Sequence, residues 1–339
     1  MKKTLFALAA LGAFAGAASA QSSVTLFGVV DVAGRYVKNG DVKQWQLANN
    51  GNSSSRFGVR GVEDLGGGLK AGFWLESAIN PDSGTADSSK FWGRRSTVSL
   101  MGNFGEVRLG RDKTPTQLAL ESSDPFGATG IADISNLYVS APGSTVVSKS
   151  RADNMVQYFL PSTLGGVYGT LAVAAGEGTT GAKYMGGRIG WKSGPVDVSF
   201  AYGRNEEVLG NEDLDLYVLA GTYDFGVAKL FASFQNAEID NMKDRLLTVG
   251  TAVPFGAGEF RASYSKVDGK GGAIDDREAD KFAIGYVHNL SKRTALYTTY
   301  AYIKNDGTGA YSVAGNGATS AQLRGEKSQG FDLGIRHSF

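Results

Sequence analysis

The sequence predicts an all-β fold: a 16-stranded antiparallel transmembrane β-barrel with a long third loop folded into its lumen. Three observations point there. Segments of alternating apolar and polar residues recur along the chain, joined by connections that are short and long in turn. Beyond the first twenty residues, no stretch has the 18 or so consecutive apolar residues of a membrane helix. The last ten residues alternate from Gly330 to a final Phe339. A wall with lipid on one side and water on the other needs only every second residue to be apolar, which reconciles a polar composition with a membrane span.

At the start, Met1-Lys2-Lys3 precedes an apolar run from Leu5 to Gly16 and then Ala18-Ser19-Ala20. That order of charge, apolar core and small-x-small site is an export signal, and the run is too short to span a bilayer as a helix. Residues 1–20 are therefore expected to be cleaved, leaving 21–339 as one barrel domain with 32 basic and 33 acidic residues. Such balance carries no nucleic-acid footprint. With no Cys, the fold has no disulfides and must close through hydrogen bonds and packing.

The first strand spans 22–37, with Leu26, Val30, Val32 and Tyr36 on one face and Thr25, Asp31 and Arg35 on the other. Further strands are read at 53–63 and 68–79, 90–102 and 104–112, 153–161 and 166–176, and 183–193 and 195–204. Then follow 213–224 and 226–237, 243–254 and 258–267, 279–290 and 294–304, and 327–339. Each single strand is weakly marked, so pattern alone leaves barrels of about 14 to 18 strands open. Gly-rich turns such as Asp64-Leu65-Gly66-Gly67 and Asn103-Phe104-Gly105 lie at one rim, and polar loops at 38–52, 80–89, 268–278 and 305–326 at the other. An even count puts both termini at the short-turn, periplasmic rim. In the last strand Phe331, Leu333, Ile335, His337 and Phe339 share one face; left unpaired, that edge would aggregate, so it is expected to close on the first strand. Tyr36, Phe73, Phe91, Trp92, Tyr158, Tyr184, Tyr202, Tyr217, Tyr223, Tyr286 and Tyr297 fall near strand ends and are read as interfacial girdles.

The alternation stops over 112–152, the third long connection. A loop of that length is rare unless it has a task. Phe126, Ile131, Ile134, Leu137 and Tyr138 are too apolar for a free loop, so it is expected to fold inward. Strand faces then assign the charges. Phe57 and Val59 set the lipid face, so Arg56 and Arg60 point to the lumen. Leu69, Phe73 and Leu75 do the same for Lys70 and Glu76, and Val98 and Leu100 for Arg95. Arg94 turns inward only if the strand bulges or has already left the lipid layer. Arg or Lys on the lipid face costs roughly 2–4 kcal/mol at mid-membrane, which agrees with these assignments. The summed field of inward arginines draws anions, with Glu76 and Asp124 available to hold the cations apart.

Several segments together resemble the trimeric Gram-negative general porins of the β-proteobacterial type. They are Ser23-Val24-Thr25-Leu26-Phe27-Gly28-Val29-Val30-Asp31, the run from Ser55-Arg56-Phe57-Gly58-Val59-Arg60-Gly61 through Glu63-Asp64-Leu65-Gly66-Gly67-Gly68-Leu69-Lys70-Ala71, Arg94-Arg95-Ser96-Thr97-Val98-Ser99-Leu100, Gly105-Glu106-Val107-Arg108-Leu109-Gly110-Arg111 and Gly285-Tyr286-Val287-His288-Asn289-Leu290. Asp124-Pro125-Phe126-Gly127-Ala128-Thr129-Gly130 resembles the acidic-aromatic-Gly tip of their third loop. The resemblance covers the chain after residue 20 and is weakest in the loops. It implies an outer-membrane homotrimer with one water-filled pore per subunit, among lipid and lipopolysaccharide, passing small ions and solutes without a cofactor. It also implies a basic constriction at Arg56, Arg94 and Arg151, joined by Arg60 and Arg95 from the face reading, with Glu76 and Asp124 as acidic partners; anion-selective members share that arginine set.

Competing readings are weaker. A barrel enzyme needs a nucleophile, a base and an orienting group, but the two histidines, His288 and His337, lie at a rim and on a lipid face. No Cys and two distant His give no transition-metal site, and Asp275, Asp276 and Glu278 read more simply as a solvated acidic loop than as a Ca²⁺ site. A substrate-specific channel for organic anions or sugars remains the alternative, with Trp74 and Trp92 as its hint.

Overall fold

The computed structural model describes residues 23–86, 89–137, 146, 148–206 and 212–339. The expected export signal and Tyr138 lie outside them, as do residues 139–145 and 147 of the long loop. Eighteen strand segments form the wall: β1 (Ser23–Asn39), β2 (Val42–Asn49), β3 (Arg56–Gly66), β4 (Leu69–Asn80), β5 (Thr85–Ala86), β6 (Arg95–Gly102), β7 (Gly105–Lys113), β8 (Arg151–Phe159), β9 (Val167–Ala174), β10 (Tyr184–Ser193), β11 (Val196–Asn205), β12 (Leu214–Asp224), β13 (Lys229–Ile239), β14 (Met242–Phe255), β15 (Gly258–Lys270), β16 (Arg277–Asn289), β17 (Thr294–Gly307) and β18 (Lys327–Ser338). Two of these add no stave. β2 and β3 both pair with β1, one above the other, and β5 pairs only with the end of β4. The wall is thus a closed, antiparallel barrel of sixteen staves.

Closure runs through the first and last strands, from Val29 opposite Ser338 to Asn39 opposite Ser328. Phe339 extends the seam, exchanging 3.1 Å hydrogen bonds with Gly28 in both directions. Closing the sheet leaves no strand edge in lipid, where unpaired backbone groups are costly. Alternation is carried through the wall. Leu26, Leu171, Leu219 and Leu333 are exposed on the outer face, while Ser199, Gln235 and Thr248 are buried inside. Among the described residues no helix is long and apolar enough to cross a membrane.

Four expectations change. The stretch 38–52 is not only a loop, because Val42–Asn49 folds back on β1 as a hairpin. Gly40 supplies its turn at φ 55°, and Trp45 packs on Tyr36 at 5.0 Å between ring centroids. The strand predicted at 90–102 begins only at Arg95. Tyr184 and Tyr297 are not girdle residues: both are 2% exposed and face inward, Tyr297 donating to Asp31. The stretch 305–326, expected only as a polar loop at the rim, folds partly inward. Tyr311 and Val313 bury themselves in the lumen, and a short helical turn (Ser320–Leu323) leads back to the wall.

The long loop enters the barrel. After β7, Thr114 caps helix α1 (Pro115–Ser122), with Pro115 in the first turn where its missing N–H costs nothing. Two 3₁₀ turns follow, at Gly130–Ala132 and Ile134–Asn136. Leu120, Phe126, Ile131, Ile134 and Leu137 are buried against Val37, Leu246, Val267, Ile303, Tyr311 and Val313. Each such side chain contributes roughly 2 kcal/mol of burial, enough in sum to hold the loop inside. The wall makes room with small residues: Ala201 and Ala220 meet Ala119 of α1, and Ala279, Ala283 and Ala301 lie under the loop tip. At Gly250 a side chain would meet Pro125 at 2.7 Å.

Candidate functional site

The inward loop leaves a cavity of about 840 Å³ between its tip and the facing wall. Arg56, Arg94 and Arg151 line it, contributed by β3, the residue before β6 and the first residue of β8. Arg94 reaches the lumen because the strand ends at Arg95. Freed from the alternation, its backbone N–H donates to the Glu76 carbonyl at 3.1 Å and its side chain turns inward.

One carboxylate serves Arg94 and Arg56. Arg94 Nε donates to Glu76 Oε1 at 2.6 Å, and Arg56 Nε lies 3.9 Å from the same oxygen. The other oxygen, Oε2, accepts from Trp74 Nε1 at 3.0 Å. Arg151 Nε donates to the Arg94 backbone carbonyl at 2.9 Å, and Arg56 Nη1 to the Ser54 carbonyl at 3.0 Å. Arg94 and Arg56 therefore share Glu76, while Arg151 is held beside them by a backbone acceptor that neutralises nothing.

Asp31 organises the edge beside them. Its carboxylate accepts the backbone N–H groups of Gly51, Asn52 and Ser53 at 3.0, 3.1 and 2.7 Å, together with the Tyr297 hydroxyl. These bonds fold the 50–55 link between β2 and β3 into the lumen, where Asn52 accepts from Arg336 Nη1 at 3.1 Å.

Asp124 lines the cavity, but its carboxylate turns into the loop. It accepts Phe126 N at 2.9 Å, Ala128 N at 3.0 Å and Ile134 N at 3.1 Å, and it bonds no arginine. Burial raises the Asp124 carboxyl above the usual carboxylate range, and does the same to Asp133. Asp133 in turn offers its carbonyl to the buried Lys281 of β16. Asp124 thus shapes the tip, whereas Glu76 balances the arginines. Arg60 and Arg95 do not join the large cavity. They line a separate recess of about 300 Å³ with Trp74, nearer the short-turn rim.

Sequence reasoning did not single out the facing cations Lys113, Lys229, Arg261 and Arg336, which also line the cavity. Alternation carries the signal for Lys229, since Leu230 and Phe234 are exposed outward. Which inward residues meet across a barrel depends on closure and loop placement, which a strand pattern does not contain. Glu121, Asp124, Asp133 and Glu259 are the acids of the lining, against eight Lys and Arg, so positive charge dominates.

Residues 7–308 match the family model described as Gram-negative porin. The chain is 42% identical to outer membrane porin protein 32 of Delftia acidovorans, covering all of both chains. It is 31% identical to an outer membrane porin protein of Bordetella pertussis, again over both full lengths. Among solved structures, an anion-selective porin from Comamonas acidovorans superposes with a TM-score of 0.84 at 40% identity, covering 94% of this chain and all of that one. The chain belongs to the Gram-negative porins, channels of the outer membrane through which small hydrophilic solutes diffuse.

Proposed function

We propose that the channel is anion-selective, with Arg56, Arg94 and Arg151 forming the basic side of a constriction closed by the loop 112–152. The observation that carries this reading is the excess of eight Lys and Arg over four Asp and Glu in the described cavity lining, where Arg56 and Arg94 share the one carboxylate of Glu76. A local excess of positive charge in a narrow, low-dielectric passage raises anion occupancy and repels cations. Lys229, Arg261 and Arg336 extend the same sign across the lumen. The likeness to the Comamonas acidovorans porin, which is anion-selective, supports the same selectivity here. Residues 1–20 act as the cleaved export signal, and the working unit is a homotrimer in lipid and lipopolysaccharide. The whole lumen is devoted to passage rather than to chemistry, and no cofactor is required.

The test is reversal potential in a planar bilayer across a KCl gradient. Chloride preference is expected, falling toward that of potassium as Arg56, Arg94 and Arg151 are changed to Gln in turn. A wild-type channel that prefers potassium would overturn the reading.

A further inference from the structure

We propose that Arg60, with Trp74 and Phe27, forms a second anion station on the short-turn side of the constriction, one that favours monocarboxylates carrying a flat apolar body. The proposal rests on the anion-selective reading above and adds a substrate class to it.

Arg60 lies four residues beyond Arg56 on β3, toward the Gly66 turn, which places it about 13 Å further along the pore wall. Its guanidinium carbon sits 4.8 Å from the Trp74 ring centroid and 5.2 Å from that of Phe27. The two rings meet edge-on at 5.1 Å. Arg95 also stacks on Trp74, at 4.4 Å. Ring faces attract a guanidinium and hold it flat without consuming its N–H donors.

The charge balance separates Arg60 from its neighbours. Arg95 lies 3.5 Å from Asp112, and Arg108 bonds both Asp112 and Glu106. Among the described residues Arg60 enters no ion pair, and it is exposed to the lumen. The recess therefore holds one cation that is oriented but not neutralised. Val62 and Met101 line the same recess beside Trp74.

This arrangement is a carboxylate donor set beside an apolar floor. Chloride uses only the charge. A carboxylate with a ring attached can hydrogen-bond the Arg60 fork and cover Val62 and Met101 with its apolar part. Conduction requires successive sites, each weak enough to be left, and a single exposed ion pair has that strength.

The experiment compares benzoate with acetate, two anions of equal charge, by bi-ionic reversal potentials on single inserted channels. Taking their ratio cancels the general pull of the constriction on anions. The wild-type channel is expected to pass benzoate in preference to acetate, against the order of size. Arg60→Gln lowers that ratio about threefold, because the contact on Val62 and Met101, which acetate is too small to make, is gained only while the carboxylate is held at Arg60. Phe27→Leu lowers it in the same direction, and so does Arg60→Lys, which keeps the charge but not the planar stack. Wild-type permeabilities in order of size, or an unchanged ratio in Arg60→Gln, overturn the second station while leaving the anion-selective reading intact. An equal fall in Arg94→Gln assigns the discrimination to the constriction and also overturns the station. Potassium preference in the wild-type channel overturns the anion-selective reading and this proposal with it.

Discussion

Glu76 is the residue on which the basic wall turns. It accepts from Arg94 and Trp74 and lies 3.9 Å from Arg56, so it both dilutes the positive field and fixes the groups that make it. Glu76→Gln keeps the shape and removes the charge. The field then strengthens, and the chloride-to-potassium permeability ratio is expected to rise about twofold in the KCl-gradient measurement. Losing the charge-assisted bond to Arg94 costs about 1.5–3 kcal/mol of local stability, so current noise should increase as well. A ratio that falls instead would mean that Glu76 matters by positioning Arg94 rather than by its charge. The inward direction of Glu76 is legible from Phe73 and Leu75 on the same strand. Its meeting with Arg94 is not, because Arg94 reaches the lumen through a strand end, and alternation says nothing about side chains outside strands.

The inward loop shows the same division at the scale of an element. Its entry is legible, because Phe126, Ile131, Ile134 and Leu137 have no reason to be apolar in water. Its landing place is not, since that surface, Val37, Leu246, Val267 and Ile303 with alanines between them, is spread over several distant strands. The folding-in of the segment after β17 escapes the pattern for a related reason: Tyr311 and Val313 are only two apolar residues in a polar run, yet they complete the pocket around Ile131. Asn136 ties the two segments with a 2.9 Å bond to the Val313 carbonyl. The tip depends on Gly130, held at φ 74°, where a Cβ would stand 2.2 Å from the Gly51 carbonyl oxygen. Gly130→Ala must push the loop away from the 50–55 link. Single-channel conductance is expected to rise by some tens of per cent through a wider gap, with weaker ion selectivity. An unchanged conductance would show that the tip does not set the width of the pore. Asp124→Ala strips acceptors from three loop N–H groups, each worth about 1–3 kcal/mol when left unsatisfied. It should make the open level flicker rather than simply widen.

For the whole barrel, the seam between β1 and β18 decides whether there is a pore at all. Its partners lie about 300 residues apart in the chain, so pairing them carries a large loop-closure entropy cost that local contacts cannot offset. The lumen side of the seam carries a buried ion pair between directly opposed residues. Arg35 Nε and Nη2 donate to the two oxygens of Asp332 at 2.7 and 2.8 Å, and the Asp332 side chain is fully buried. A fork of this geometry is directional, so it sets the register of the closing strands as well as joining them. The alternation of the last strand already places Asp332 and Arg336 inward, but the choice of Arg35 as partner follows from register, which period-two patterning leaves free by steps of two. Removing one member leaves the other charge buried and alone, which costs about 3–5 kcal/mol, whereas removing both costs far less. Asp332→Ala should therefore lower the temperature at which the detergent-solubilised barrel loses its compact gel mobility. Arg35→Leu combined with Asp332→Leu should restore most of that loss. If the double variant is as unstable as Asp332→Ala, the pair contributes net stability to closure. If the double variant unfolds late but inserts slowly, the pair acts on register during assembly rather than on the finished wall.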